Sequence, residues 1–167
     1  MLSVIVAIAV IIADFVSKLL AVRFVKPQGS VEIIDGILNF TYVENRGMAF
    51  GALQDARWIF ITVSAVMILV IAFLVWKYRA KSKMFDVTLG LILGGGIGNM
   101  IDRITLGYVV DFIDFCAFDF WKWVFNIADS AVVVGCILAI VFVVFDKKSS
   151  AMIKEKSESD GESPNEQ

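Results

Sequence analysis

The sequence predicts an all-α membrane protein: four transmembrane helices with both termini cytoplasmic, a small extracytoplasmic β-sheet and an aromatic interfacial loop. Three observations predict it. Of the 167 residues 59% are hydrophobic, against about 45–50% in an ordinary soluble domain. The apolar residues fall into four stretches close to the length of about 20 that a bilayer requires. The charges gather between those stretches and at the C-terminal end, and a formal net charge of −2 offers no basic field for nucleic acid.

The first stretch, 2–22, begins apolar at Leu2 and carries Asp14 and Lys18. A cleavable signal needs a positive start and a small-residue cleavage site, so this stretch reads as a retained span. The second, 58–76, is free of charge and bracketed by Trp58 and Trp76, the pattern of aromatic anchors at two interfaces. It reads as lipid-facing wall. The third, 84–104, holds Asp86 near its start, Gly94, Gly95, Gly96 and Gly98 in its middle, and Asn99, Asp102 and Arg103 at its end. The fourth, 124–145, has Asn126 and Asp129 close to its start. Residues 1–146 thus form one membrane domain. Residues 147–167 form a polar cytoplasmic tail, expected to be disordered because nothing from Ser157 onward is apolar.

Orientation follows from the short connections. Lys77, Arg79, Lys81 and Lys83 crowd the loop between the second and third spans, and Lys147 and Lys148 follow the fourth. Both sites are expected in the cytoplasm. The connection between the first two spans is longer and mixes Arg23, Lys26, Arg46 and Arg57 with Glu32, Asp35, Glu44 and Asp55, so it belongs outside. Its β-branched and aromatic residues, around an Asp35-Gly36 turn signal, predict short strands in an outer β region at 30–52. The other outer connection, Gly107 to Trp123, holds Tyr108, Phe112, Phe115, Phe118, Phe120, Trp121 and Trp123 and is expected in the headgroup layer.

With this topology the intramembrane polar residues converge. At 1.5 Å per residue, Asn99, Arg103 and Asp129 lie within roughly 8 Å of the outer ends of their helices, and Asp14 and Lys18 at about 12 and 6 Å. Asp14/Lys18 and Asn99/Arg103 are i,i+4 pairs and Asn126/Asp129 is an i,i+3 pair, so each set shares a helix face. A charge in hydrocarbon costs about 2.5–3.5 kcal/mol on insertion scales and usually faces a bundle interior or a functional cavity. Interhelical ion pairing that simply holds the bundle together is the alternative to a functional role for Lys18, Arg103 and Asp102. It fits Asp129 less well, because the helix of Asp129 offers no cation.

Absences narrow the chemistry. With no histidine, imidazole bases, Ser-His-Asp catalysis and histidine-ligated zinc are excluded. Cys116 and Cys136 form no CxxC pair and read as packing residues. The glycine run lies mid-helix rather than on a strand-turn-helix phosphate loop, so close helix packing explains it. No metal or other cofactor is expected.

Five blocks then match a known family. Asp14-Phe-Val-Ser-Lys18, Asn45-Arg-Gly-Met-Ala-Phe50, Gly94-Gly-Gly-Ile-Gly-Asn-Met-Ile-Asp-Arg103, Val109-Val-Asp-Phe112 and Phe125-Asn-Ile-Ala-Asp129 stand in the order of lipoprotein signal peptidase, or signal peptidase II, which the chain resembles. Gly96 departs from the alanine more usual there. The resemblance implies that Asp111 and Asp129 form a catalytic dyad and that Asp14, Lys18, Asn45, Gly47, Asn99, Arg103 and Asn126 support or line the site. It implies a bacterial inner-membrane endopeptidase with its site near the extracytoplasmic face. The implied substrates are diacylglyceryl-modified prolipoproteins, cut before the lipidated cysteine. Membrane lipids are the implied surroundings, and the cyclic-peptide inhibitors of the family are expected at the same site.

Two other readings compete. Intramembrane acids with a lysine also suit a small proton-coupled transporter or ion-binding bundle, although no inverted repeat is visible. A serine peptidase would use Ser17 or Ser130 with Lys18 as base, but Ser17 and Lys18 are adjacent on a helix and point apart.

Overall fold

The computed structural model describes residues 1–47, 57–78, 82–118 and 123–145. The polar tail, Arg79 and Lys81 of the lysine-rich loop, the 48–52 end of the outer β region, and Phe120 and Trp121 lie outside the described residues.

Helix α1 spans Leu2–Leu20 and runs on through a π-helical turn, Ala21–Val25. Its buried residues are Ser3, Ala7, Val10, Asp14 and Lys18. Their spacing of three and four residues makes one stripe. Val4, Ile5, Ile8, Ile12, Phe15 and Leu19 are exposed, so the helix turns its polar groups inward and its apolar surface outward, as a bilayer demands. Helices α2 (Arg57–Tyr78) and α3 (Lys83–Thr105) follow, then α4 (Ile127–Phe145). Three helical segments, Leu2–Val25, Arg57–Tyr78 and Lys83–Thr105, are long and apolar enough to cross a membrane, and α4 is a shorter apolar helix.

The central helix is α3, which packs against α1, α2 and α4. Glycine makes this approach feasible. A Cβ on Gly90 would stand 2.6 Å from the Ser3 carbonyl oxygen, one on Gly94 2.7 Å from that of Ala7, and one on Gly98 2.8 Å from Asp14 Oδ2. A Cβ on Gly95 would collide with the Ala128 carbonyl of α4. The glycine run is therefore a packing seam, as expected, and its two edges serve two different neighbours.

Outside the bundle lies a four-stranded antiparallel sheet in the order β1-β2-β3-β4, with β1 at Ser30–Ile34, β2 at Leu38–Asn45, β3 at Val109–Phe115 and β4 at Val124–Phe125. The Asp35-Gly36 signal is the β1–β2 turn, with Gly36 at φ 64°. Gly107, at φ 87°, ends α3, and its N–H and that of Leu106 both donate to the Asp102 carbonyl. The chain thereby enters β3 directly.

Three expectations need correction. The aromatic connection is not simply an interfacial loop, because its first half is β3, paired along β2 from Leu38↔Phe115 to Asn45↔Val109. The fourth helix begins at Ile127 rather than 124, because Val124 and Phe125 pair with Asp114 and Ile113 and Asn126 caps the helix that follows. Beneath the sheet, Ala21, Val25 and Phe112 form an apolar cluster joined by Phe40, Tyr42, Ile113 and Ile127, with the Phe40 and Phe112 rings edge to face at 5.8 Å. This cluster fixes the sheet over the C-terminal end of α1. The cysteines also differ from expectation. Both are free, Cys136 is exposed on α4 and Cys116 is half-buried, because a membrane helix presents apolar residues to lipid rather than to a core.

Candidate active site

Asp111 sits in the middle of β3 and is 1% exposed. Asp129 lies in the first turn of α4. The short β4 strand, paired to β3, delivers the chain to Asn126 and so sets the start of α4 beside Asp111. Asn126 is the hinge of the arrangement. Its Oδ1 accepts the Asp129 N–H at 2.8 Å, which is the bond of an N-cap to the third helical residue. Its Nδ2 donates to Asp111 Oδ1 at 2.6 Å.

Asn99, on α3, lies on the other side. Its Nδ2 donates to Asp129 Oδ1 at 2.6 Å, and its Oδ1 accepts from both Asn126 Nδ2 and Lys18 Nζ at 3.0 Å. Lys18 Nζ also pairs with Asp14 Oδ2 at 2.7 Å and Asp102 Oδ2 at 2.9 Å. These three partners match the three donors of an ammonium. The two supporting carboxylates are tied in turn to backbone. Asp14 Oδ1 accepts the Ala128 N–H at 2.9 Å, and Asp102 Oδ2 accepts the Val110 N–H at 3.1 Å. Lys18 thus joins α1 and α3 to the residues immediately before each of Asp129 and Asp111.

On the sheet side, Asn45 Nδ2 donates to Asp111 Oδ2 at 2.9 Å, and Asn45 Oδ1 accepts the Gly47 N–H. Arg103 donates to the Asn99 carbonyl at 3.3 Å and lies over the Phe60 ring at 5.3 Å. Burial, and then the nearby charge of Asp129, push the Asp111 carboxyl up to about 7, against the opposing donors on Asn45 and Asn126.

Every residue singled out in the sequence therefore enters one connected cluster: Asp14, Lys18, Asn45, Gly47, Asn99, Arg103, Asp111, Asn126 and Asp129. Three contributors were missed. Asp102 is more than the ion-pair partner that the sequence suggests, because it also holds β3 one residue before Asp111. Its i+3 spacing from Asn99 was the available signal. Phe60 and Arg57 make α2 more than a lipid-facing wall, and no periodicity marks them.

The serine readings fail on geometry. Ser17 Oγ donates to the Asp14 carbonyl at 2.8 Å and Ser130 Oγ to the Asn126 carbonyl at 2.9 Å, while Lys18 is held by three other groups.

A family model described as signal peptidase (SPase) II matches residues 6–145. The chain belongs to the signal peptidase II family. It is 42% identical over 144 residues to a lipoprotein signal peptidase of Caldanaerobacter subterraneus subsp. tengcongensis, covering 86% of this chain and 97% of that one. It is 44% identical over 139 residues to the lipoprotein signal peptidase of Halothermothrix orenii, covering 83% and 92%. Two solved structures, each titled a bacterial membrane enzyme by the in meso method, share the fold. One, at 2.3 Å, has a TM-score of 0.74 and 30% identity, covering 99% of this chain and 93% of that one. The other, at 1.9 Å, has a TM-score of 0.76 and 32% identity, covering 87% and 94%. As a signal peptidase II family member the chain is a membrane-embedded aspartic peptidase, which sets aside the transporter reading.

Proposed function

We propose that this peptidase removes the signal peptide from prolipoproteins carrying diacylglycerol on a cysteine, cutting immediately before that cysteine, with Asp111 and Asp129 as its catalytic pair. One observation carries the assignment of the pair. Each carboxylate accepts an amide N–H at 2.6 Å from a network anchored on a single buried lysine. Such a network holds both groups in fixed orientation while leaving neither one neutralised by its own cation.

Two neighbouring carboxylates cannot both ionise cheaply, so the pair works with one proton. Asp111, the more deeply buried, keeps it and polarises the scissile carbonyl. Asp129 takes a proton from water, whose oxygen adds to the carbonyl carbon. Collapse of the tetrahedral intermediate breaks the C–N bond and delivers a proton to the cysteine nitrogen. The signal peptide leaves with a new carboxylate and the lipoprotein with a new amino terminus. Asn99 and Asn126 keep the carboxylate oxygens turned toward the reacting centre, and Arg103 holds a polar part of the substrate.

The same reading sets the chain in the bacterial inner membrane with four spans, both termini cytoplasmic and the site near the outer face. Lys77 and Lys83 close the α2–α3 end, where Tyr78 and Phe85 meet ring to ring at 6.1 Å. Arg57, at the other end of α2, reaches the Ile104 carbonyl beside the sheet. Surrounding membrane lipids carry the acyl chains of the substrate, and cyclic-peptide inhibitors of the family occupy the same cluster.

The test is incubation of the purified protein in nanodiscs with a diacylglyceryl-modified precursor, followed by mass analysis of the product. A new N-terminus at the lipidated cysteine, absent with Asp111→Asn and with Asp129→Asn, is the expected result. Cleavage elsewhere, or substantial activity in Asp129→Asn, would refute it.

A further inference from the structure

Arg57 opens α2, where a cation is badly placed against the positive end of its own helix. Its guanidinium crosses instead to the C-terminal end of α3, donating from Nη2 to the Ile104 carbonyl at 2.7 Å. That bond accounts for the position of the side chain but not for all of its donors. Nε is buried and makes no hydrogen bond, and a buried N–H without a partner is uncommon enough to require an explanation.

The guanidinium also lies over the Trp58 ring, 5.5 Å from its centroid, a contact that offers Nε no hydrogen-bond acceptor oxygen. Phe60, one turn further along α2, lies under Arg103, whose guanidinium is 5.3 Å from the ring centroid. Arg103 in turn donates to Asn99, the residue bonded to Asp129. A continuous face therefore leads from the proposed catalytic pair, over Arg103 and Phe60, to Arg57. Trp58 beside Arg57 is 72% exposed, and Ile59, Val63 and Val66 continue an exposed apolar surface down α2. An exposed tryptophan at a helix end marks the headgroup layer, which is where the ester groups of a glycerolipid lie and from which its acyl chains descend.

Distance agrees. Ile104 is five residues beyond Asn99 on α3, an axial separation of about 7.5 Å. In a diacylglyceryl cysteine about eight bonds separate the scissile carbonyl carbon from the nearer ester carbonyl carbon, a reach of up to about 10 Å. We propose that Arg57 is a specificity-determining residue, whose Nε–H donates to an ester carbonyl oxygen of the diacylglyceryl group on the substrate cysteine. The assignment rests on the reading of function given above.

The experiment measures kcat and KM in nanodiscs for the wild type, Arg57→Gln and Arg57→Lys. Two substrates are compared, one with ester-linked chains and one whose chains are joined by ethers and so lack carbonyl oxygens. Loss of one charge-assisted hydrogen bond is expected to raise KM for the ester substrate about tenfold, with kcat changed less than about twofold. The ether substrate is expected to show a raised KM with the wild type and no further rise with either variant. Arg57→Lys keeps a cation able to cap Ile104 but lacks Nε–H. Its KM should rise as in Arg57→Gln, with the unfolding temperature unchanged. An unchanged KM in Arg57→Lys, a loss of kcat at constant KM, or equal sensitivity of the two substrates would overturn the proposal. So would native mass spectra in which Arg57→Lys loses a retained phosphatidylglycerol while its KM for substrate stays at the wild-type value. A wild-type protein that cleaves neither substrate would instead sink the functional reading itself.

Discussion

Lys18 and Asn99 are joined by a 3.0 Å hydrogen bond that can run in one direction only, because an ammonium donates and cannot accept. At the opposite end, Asn126 Oδ1 must accept, since its partner is the backbone N–H of Asp129. With both ends fixed, neither amide between them can flip. Each must therefore turn its NH2 toward a carboxylate, Asn99 toward Asp129 and Asn126 toward Asp111. The lysine thus sets the polarity of the site without touching either of the proposed catalytic groups.

Replacing Lys18 by Met is expected to cost stability and activity together. The change leaves Asp14 and Asp102 buried without their counter-charge, and breaking a buried ion pair from one side costs about 3–5 kcal/mol. Unfolding in detergent, followed alongside cleavage, checks this. Retained cleavage in Lys18→Met would mean that the asparagine amides are oriented by something else.

Asn126 separates capping from catalysis. Serine is as good an N-cap as asparagine, but its shorter side chain cannot also reach Asp111. Asn126→Ser is therefore expected to keep stability within about 1 kcal/mol of wild type, while kcat falls by about 10² or more, the usual cost of one preorganised donor. Asn126→Ala should lose both. Equal activity of Asn126→Ser and wild type would remove the Asp111 hydrogen bond from the mechanism.

The glycine seam predicts opposite outcomes at adjacent residues. A Cβ at Gly95 meets the Ala128 carbonyl, backbone that cannot move without shifting the first turn of α4 and Asp129 with it, so Gly95→Ala should destabilise by about 1–3 kcal/mol and depress activity. At Gly96 the nearest atom is Ile68 Cγ1 at 3.5 Å, an ordinary contact. Gly96→Ala should be neutral or stabilising by up to about 1 kcal/mol through helix propensity. Thermal unfolding of the two variants decides it.

These residues differed in how plainly they stood out in the chain. Asp14, Lys18, Asn99, Asn126 and Asp129 were conspicuous because each interrupts an apolar run where a polar group is costly, and helical spacing then put them in one layer. Asp111 was not. It lies in a strand whose first residues, Val109 to Phe112, are all buried, so the alternation that marks a half-buried strand is missing, and its partner strand is more than sixty residues away in the chain. Only the resemblance of the Val-Val-Asp-Phe block pointed to it. The parts played by Asp102 and Arg57 were hidden for a related reason. Their partners are backbone groups, Val110 N–H and the Ile104 carbonyl, and a backbone partner leaves no trace in residue identity.

Topology can be tested by thiol labelling after Cys116 and Cys136 are replaced by alanine. A single cysteine at Ser82, on the short α2–α3 connection, should be shielded from an impermeant reagent outside intact spheroplasts, whereas one at Gln28, beside the sheet, should react. The reverse pattern would put the polar cluster on the cytoplasmic side.

The pH dependence follows from the position of Asp111. Its carboxyl is pushed up to about 7 by burial and by Asp129, whereas in the unfolded chain it titrates near 3.9. Between those values the folded state holds a proton that the unfolded state has released. The contribution of this group to stability is therefore complete below about pH 4 and is lost as pH rises through about 7. Activity that needs the pair singly protonated should be bell-shaped in pH, with its upper limb near 7 rather than near 4. The two partners of Asp111 move that limb in opposite directions. Asn45→Ala removes a donor that favours the ionised form, so the limb should shift to higher pH. In the inactive Asp129→Asn variant a neighbouring negative charge is gone, so the loss of stability should be smaller and complete at a lower pH than in wild type. The measurements are the profile of kcat/KM in nanodiscs, repeated with EDTA and with a serine-directed acylating reagent, and unfolding of Asp129→Asn across the same range. EDTA inhibition reversed by a divalent metal would make the carboxylates metal ligands. Covalent inactivation at a serine would make the nucleophile something other than water.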